Sequence, residues 1–425
     1  MKTGGFLENR FKTPTIFLVV ALILAGLVGL TWANYRFVVT NPGGSDFLPG
    51  WVGARLFITK GWSPYGDQVK TEIQKQFYGG TIPPGKEISF DYPLYSALVF
   101  APFAMIPDYS MARAVWMTAL EVSLLAIALL SIVLVHWRVS PLFLAGFLVF
   151  SILWYHALGV LVSGDVVILC TLFVVLALLL IRSGFDAGAG FFLALATIKP
   201  NIVILLVLLV LLWGVSQRRW QLIASTLGSL FFLTAFSMLL IPDWIFQDVR
   251  AILASAQSLQ PGSPGGALVY WMPGVGRQLS WILMLFLAVI LILEWRAVWG
   301  KEVRWFLWTA CLTLVINEWI GIKTDPKNFL ILYTPLVLVF ATWEERWGKQ
   351  MRWATIASLV LLGIGLWILF LGTLPSGVQL QSHPSLFFPL PMFLFIGLYW
   401  VRWWAIRSTQ PYLDRLRSAE GRAVD

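Results

Sequence analysis

The stretch AGAGFFLALATIKPNIVILLVLLVLLW, Ala187 to Trp213, is apolar over 27 residues apart from Thr197, Lys199 and Asn201. A hydrocarbon core about 30 Å thick needs roughly 20 apolar residues in a helix. The run does not alternate polar and apolar positions, which selects helices over the strands of a membrane barrel. Lys199 sits mid-run, and Pro200 follows it. A lysine at such depth is costly and faces a protein interior or a watery cavity. Pro200 lacks a backbone donor, so carbonyls are freed beside it. Two readings stay open. Lys199 holds a phosphate or pyrophosphate oxygen at the helix break, or it snorkels or pairs with a structural acid such as Asp165.

Working outward, the same pattern recurs along the chain. Twelve apolar segments read as transmembrane helices: 15–34, 93–107, 113–136, 141–160, 164–182, 187–213, 220–241, 278–296, 304–322, 328–343, 354–373 and 386–405. Composition agrees: 59% hydrophobic, 12% charged, mean hydropathy +0.80. Soluble domains run near a quarter charged. The expected fold class is therefore an all-α polytopic membrane protein, one domain over residues 1–425. The N-terminus, with Lys2, Arg10 and Lys12 before an apolar run, resembles a signal peptide. The run is long and no small-x-small cleavage site follows, so a retained first helix is expected.

The net charge of +9 is explained by the Lys and Arg excess that holds cytoplasmic loops in place, and no nucleic-acid partner is expected. With the N-terminus inside, alternation puts Arg218, Arg219, Arg296, Lys301, Arg304, Arg346, Lys349 and Arg352 inside. Arg407, Arg415, Arg417 and Arg422 of the tail, residues 406–425, join them. Arg138 and Arg182 fall outside, against the rule, unless a re-entrant pair between 137 and 190 changes local sidedness. Two sizeable outer loops result, 34–92 and 242–277, with a shorter outer turn GIKTDPKN. The polar structure thus gathers on the side away from the cytoplasm, and function is expected there.

Cys170 and Cys311 lie in apolar runs and read as core residues. His136, His156 and His383 have no metal-ligand spacing. There is no phosphate-binding Gly-rich loop followed by Lys-Ser/Thr, and no nucleophile elbow. No cofactor is expected. A transferred group would arrive on a lipid within the membrane.

The first outer loop holds most of the candidate chemistry. Asp46 precedes a helix, Phe47 to Lys60, whose stripe of Phe47, Trp51, Ala54 and Ile58 suits the outer leaflet. Arg55 and Lys60 can snorkel, and Gly61 suits the C-terminal stop. Asp46 is either that helix's N-cap or a general base at the membrane surface. Trp62-Ser63-Pro64-Tyr65 is either an interfacial turn or an aromatic wall for a sugar. Asp91 and Tyr92, before Pro93, mark the return to the bilayer, with Asp91 a cap or a second acid. Ser163-Gly164-Asp165 is a polar break between two apolar runs. Lys323, Asp325, Lys327 and Asn328 form a capped turn or a cationic, phosphate-facing edge, with Glu318 close by.

Taken together, these residues resemble glycosyltransferase family 87, the polyprenyl-phosphate-mannose-dependent mannosyltransferases of the GT-C superfamily. The resemblance rests on an outer loop opening with an acid, an aromatic helix ending in Gly61-Trp62-Ser63-Pro64-Tyr65, the pair Tyr92-Pro93, and the later Lys199-Pro200. It covers about residues 15 to 345. It implies a GT-C fold with an outward cavity and a polyprenyl-phosphate sugar donor. It also implies a glycan or glycolipid acceptor and inversion at the anomeric carbon. By the same resemblance Asp46 is the base and Lys199 holds the donor phosphate. Tyr65, Asp91, Tyr92, Lys327 and Asn328 are expected at the substrate. The family often has Gly-Gln where this chain has Gly164-Asp165, and often a His where this chain has Lys327-Asn328. A transporter or flippase of lipid-linked glycans is the alternative, since an intramembrane lysine at a broken helix fits it too. It should tolerate loss of Asp46 better than loss of Lys199.

Overall fold

The computed structural model describes residues 13–79, 88–256, 264–320, 325–373 and 383–406. Among these every regular element is helical. The GGTIPPG turn after Gly79, Lys323 and the tail beyond Ile406 lie outside the described residues.

Helix α1, Thr13–Thr40, is apolar from Ile16 to Leu30, with Phe17, Leu18, Leu22 and Ile23 exposed along its outer face. A helix that leaves such a surface uncovered needs a lipid solvent. It docks on α5, Tyr109–Val135, through polar contacts. Thr31 bonds Thr118 at 3.0 Å, and Asn34 donates to Glu121 at 2.8 Å. Between them, α2 spans Phe47–Lys60, α3 spans Asp67–Tyr78 and α4 spans Ala97–Ala104. The first half of α2, Phe47 to Ala54, is buried within the protein. It does not lie on the leaflet as its stripe suggests; Ile58 is exposed, while Arg55 donates to the Ala104 carbonyl at 2.9 Å. Gly61 ends the helix at φ +68°, a left-handed stop as expected.

Next come α6, Pro141–Leu153, and α7, Tyr155–Ser163, which form one apolar segment bent by 50° at Trp154. They lead to α8, Val167–Ser183, then α9, Asp186–Ala196, and α10, Pro200–Ser216. Helix α11, Trp220–Leu240, precedes α12, Trp244–Ala256, and α13, Pro264–Trp271. The second half contains α14, Gly276–Ala297; α15, Val303–Ile320; and α16, Tyr333–Trp347. It closes with α17, Lys349–Val360, continued through a wide turn into α18, Leu366–Gly372, then α19, Pro389–Trp400, and α20, Arg402–Ile406. Phe306 to Trp319 and Tyr333 to Trp343 are buried without interruption, so α15 and α16 form the centre of the bundle.

Among the described residues, five helices are long and apolar enough to cross a membrane, or six with the bent pair α6–α7. The expected twelve spans are therefore not all met, and two segments differ in kind. The segment 93–107 does not cross. The Tyr92 hydroxyl lies 3.4 Å from the Asp46 carbonyl, and Tyr109 donates to the Gly43 carbonyl at 3.1 Å. Both ends of the segment therefore return to one end of the bundle, and the helical residues Leu94–Ala104 extend only about 18 Å. The opening stretch, 187–213, is two helices rather than one. Arg219 binds Asp186, so the start of α9 and the end of α10 adjoin, with Lys199 at the tip of a hairpin.

These two corrections remove the conflict over charge. Arg182 donates to the Leu134 carbonyl at the end of α5, and Arg219 donates to the Ile181 carbonyl at 2.9 Å. Trp137 donates to Glu344 at 3.1 Å. Arg138, Arg182, Arg219, Arg304 and Arg352 therefore meet at one end, opposite Asp46. The segment that turns back is 93–107, not a pair between 137 and 190.

Candidate active site

Asp46 does not cap α2 with its side chain. It has helical backbone angles itself, and the first helical bond runs from the Leu48 N–H to the Gly44 carbonyl at 2.9 Å. Its carboxylate instead accepts from Lys327 Nζ at 2.9 Å. Its own N–H donates to the Ser163 carbonyl at 3.0 Å. Two segments distant in sequence, around Ser163 and Lys327, thus fix one acid.

Each of them is positioned locally. Gly164, at φ +75°, closes α7 and turns Ser163 toward Asp46. A Cβ there would stand 2.7 Å from the Cβ of Phe47, so only glycine fits. Lys327 sits in the short helix Pro326–Leu332, where the Asp325 carboxylate caps its N–H at 2.9 Å. Beneath the loop lies Arg113, 1% exposed, donating to the Asn41 carbonyl at 3.0 Å and the Val162 carbonyl at 3.0 Å. Arg113 therefore ties the approach to Asp46 to the end of α7. Sequence reasoning missed it; the available signal was a lone arginine in an otherwise apolar first turn and a half of α5.

A second ion pair faces the first. Lys199 Nζ lies 2.7 Å from Asp165 Oδ2, while Asp165 Oδ1 accepts from the Val167 N–H at 3.0 Å and starts α8. The structural partner considered for Lys199 is thus present. The charge of Lys199 also reaches Asp46. Two acids and two amines make a compact, formally neutral quartet: Asp46, Lys327, Asp165 and Lys199. Glu318, 1% exposed, borders it. Its neighbour Asn317 donates to the Asn201 carbonyl at 2.9 Å, two residues after Lys199.

Burial pushes the Asp46 carboxyl up, but the charge and hydrogen bond of Lys327, the Ser163 hydroxyl and the charge of Lys199 outweigh it. The group is held below its ordinary value of 3.8 and stays ionised at neutral pH. Burial would lower Lys327, but Asp46 and Asp325 raise it above its ordinary value, so it stays charged. The site therefore presents a carboxylate, and cations suited to a phosphate.

The remaining predicted residues divide. Tyr92 reaches the Asp46 carbonyl, and Tyr65 donates to the Tyr92 carbonyl at 2.7 Å, so both brace the loop's return. Trp62 lies under Lys60, whose Nζ is 4.4 Å from the ring centre. Asn328 is 2% exposed, and its Oδ1 has no partner among the described residues. Asp91 belongs to a neighbouring cluster with Asp248 of α12, an acid not singled out in the sequence. Asp248 is 7% exposed with Oδ1 unpartnered among the described residues; burial, then the charge of Asp91, pushes it up to about 7. Ser63 bonds Gln247 at 3.1 Å, joining α12 to the first loop. His156, which looked isolated, meets the Pro326 carbonyl through Nδ1 at 2.7 Å and supports the Lys327 turn.

With this geometry in place, the sequence model of glycosyltransferase family 87 matches residues 90–320, just over half of the chain. The chain belongs to glycosyltransferase family 87. It is thus a glycosyltransferase with several membrane-crossing helices. No curated protein and no solved structure matches it. Within this family 87 chain, Asp165 and Lys199 fall inside the matched stretch. Asp46 and Lys327 fall outside it, and their pairing rests on the geometry alone.

Proposed function

We propose that this chain transfers a hexose, mannose by the resemblance of its motifs, from a polyprenyl-phosphate donor to a glycan or glycolipid of the cell envelope. Reaction takes place at the extracytoplasmic face of the cell membrane. The observation that carries this reading is the Asp46 carboxylate. It does not act as a helix cap, is held ionised, and stands among cations at the end of the bundle opposite the arginines. The positive-inside rule makes the arginine end cytoplasmic.

In the proposed step, Asp46 takes the proton of the acceptor hydroxyl. The freed oxygen bonds the anomeric carbon as the bond from that carbon to the lipid phosphate oxygen breaks. The electron pair leaves with the phosphate, and configuration inverts. Phosphate is a good leaving group, so a single positioned base suffices. Lys327 and Lys199 stabilise the departing charge. The acceptor hydroxyl must displace Lys327 from Asp46, and the arriving donor phosphate offers Lys327 another anion. In this reading Tyr65, Asp91, Tyr92 and Asn328 contact the sugar or the acceptor.

The test compares wild type with Asp46→Asn in nanodiscs. Radiolabelled polyprenyl-phosphate mannose is offered first, then glucose and arabinose donors, with envelope extract as acceptor. Wild type should move the mannose label, while Asp46→Asn binds the donor but transfers at least about 100-fold more slowly. Equal transfer by both proteins overturns the assignment of Asp46. Donor binding without transfer by wild type favours a flippase.

A further inference from the structure

A cavity of about 970 Å³ opens at the end of the bundle opposite Asp46. Its volume is in the range of ligand sites, whereas the reaction proposed above takes place at the other end. Five segments bring one arginine each to its wall. Arg138 follows α5, Arg182 ends α8, Arg219 precedes α11, Arg304 opens α15 and Arg352 opens α17. A basic end is expected of a membrane protein, but the rule calls only for charge on the loops. It does not require guanidinium groups to converge on one cavity.

Three glutamates, Glu302, Glu344 and Glu345, share the wall with the five arginines and leave part of this charge uncancelled. Glu344 accepts from Arg352 at 3.3 Å and from the Trp137 indole at 3.1 Å. Glu345 lies 3.6 Å from Arg304 and accepts from the Trp404 indole at 3.1 Å. Arg219 is engaged by Asp186. Among the described residues Arg138 and Arg182 pair with no carboxylate, and Arg182 donates to the Leu134 carbonyl. Two guanidinium groups therefore face a roomy, partly apolar cavity with donors to spare.

We propose that this cavity binds a phosphate group, held by Arg138 and Arg182, as part of an anionic phospholipid headgroup at the basic membrane surface. Guanidinium matches phosphate through paired hydrogen bonds, and basic pockets between membrane helices suit anionic headgroups. The inference does not rest on the proposed reaction, because its readout is binding at the far end of the molecule.

The test is native mass spectrometry and titration of the purified full chain with phosphatidylglycerol, and separately with inorganic pyrophosphate. Wild type should retain phosphatidylglycerol, and Arg138→Gln with Arg182→Gln should weaken it at least about tenfold. Arg36→Gln, which removes one exposed charge at the opposite end, is the charge-matched control for Arg138→Gln alone and should change nothing. Arg138→Gln alone removes an exposed side chain outside any helix and guards against misfolding of the double variant; it should weaken binding in the same direction. Binding of pyrophosphate but not lipid, lost in the same variants, keeps the phosphate site and assigns it to a soluble compound. Equal retention of both probes by wild type and variants overturns the proposal.

Discussion

Lys327 Nζ lies 2.9 Å from Asp46 Oδ2 across 281 residues of sequence. The contact defines both the resting state of the site and what must move for it to react. Asp46→Asn should lower kcat by about 100-fold to 10,000-fold, the usual worth of a general base, with little change in donor binding. Lys327→Met should instead weaken donor binding and the transition state together, raising KM as well as lowering kcat. Steady-state transfer with titrated donor separates the two. If Lys327→Met leaves KM untouched, its contact with Asp46 is structural only.

The pH profile of the free enzyme follows from the same pair. Asp46 titrates below its ordinary value of 3.8. Its folded-state contribution is therefore fully present above 3.8 and is lost only as pH falls through the lower folded value. The acid limb of kcat/KM should show no loss attributable to Asp46 between neutrality and the ordinary carboxylate range. An inflection from this group near neutrality, absent in Asp46→Asn, would contradict the ion pair.

Lys199 and Asp165 test structure against chemistry. Asp165 is 5% exposed, so Lys199→Met leaves a buried carboxylate without its cation. The expected cost is about 3–5 kcal/mol, read as a lower melting temperature in detergent. Lys199→Met with Asp165→Asn removes both charges and should recover most of that stability. If transfer stays low in the recovered double variant, Lys199 acts on the donor. If transfer returns with stability, its role is to hold the bundle together.

Some of this was legible in the sequence, and the physical division is clear. Gly61 stops its helix as read, and Lys199-Pro200 marks a break as read, because both are local backbone effects. The hairpin at Lys199 was not legible, since an apolar run of 27 residues looks the same whether it crosses once or folds back. The turning back of 93–107 was equally hidden. It is enforced by Tyr109 on Gly43 and by Trp51, whose indole donates to the Phe103 carbonyl at 3.1 Å. Hydropathy cannot distinguish burial in protein from burial in lipid. The partner of Asp46 depends on tertiary packing, and nothing near residue 46 names residue 327.

Gly164 offers a test of positioning without touching a charged group. Gly164→Ala places a methyl against Phe47 and strains a left-handed backbone position. The expected loss is about 1–3 kcal/mol of stability. The Ser163 carbonyl that anchors the Asp46 N–H should shift with it, so kcat falls while donor binding persists. Gly159→Ala is the control, because a Cβ there meets nothing within 4 Å. Equal activity of the two variants would remove the Ser163 anchor from the account.

Asp248 gives the last prediction, and its sign is opposite to that of Asp46. Burial, then Asp91, raises its carboxyl to about 7. The folded protein therefore keeps a proton that the unfolded chain has lost, and stability falls as pH rises from about 3.8 to about 7. Above that window the penalty is constant, because both states are ionised. Asp248→Asn mimics the protonated acid, so it should melt at a higher temperature than wild type at pH 8, with the gap closing toward acid. A gap that is the same at acid and alkaline pH would mean that the carboxyl at residue 248 titrates normally. The neighbourhood of Asp91 would then be solvated rather than enclosed.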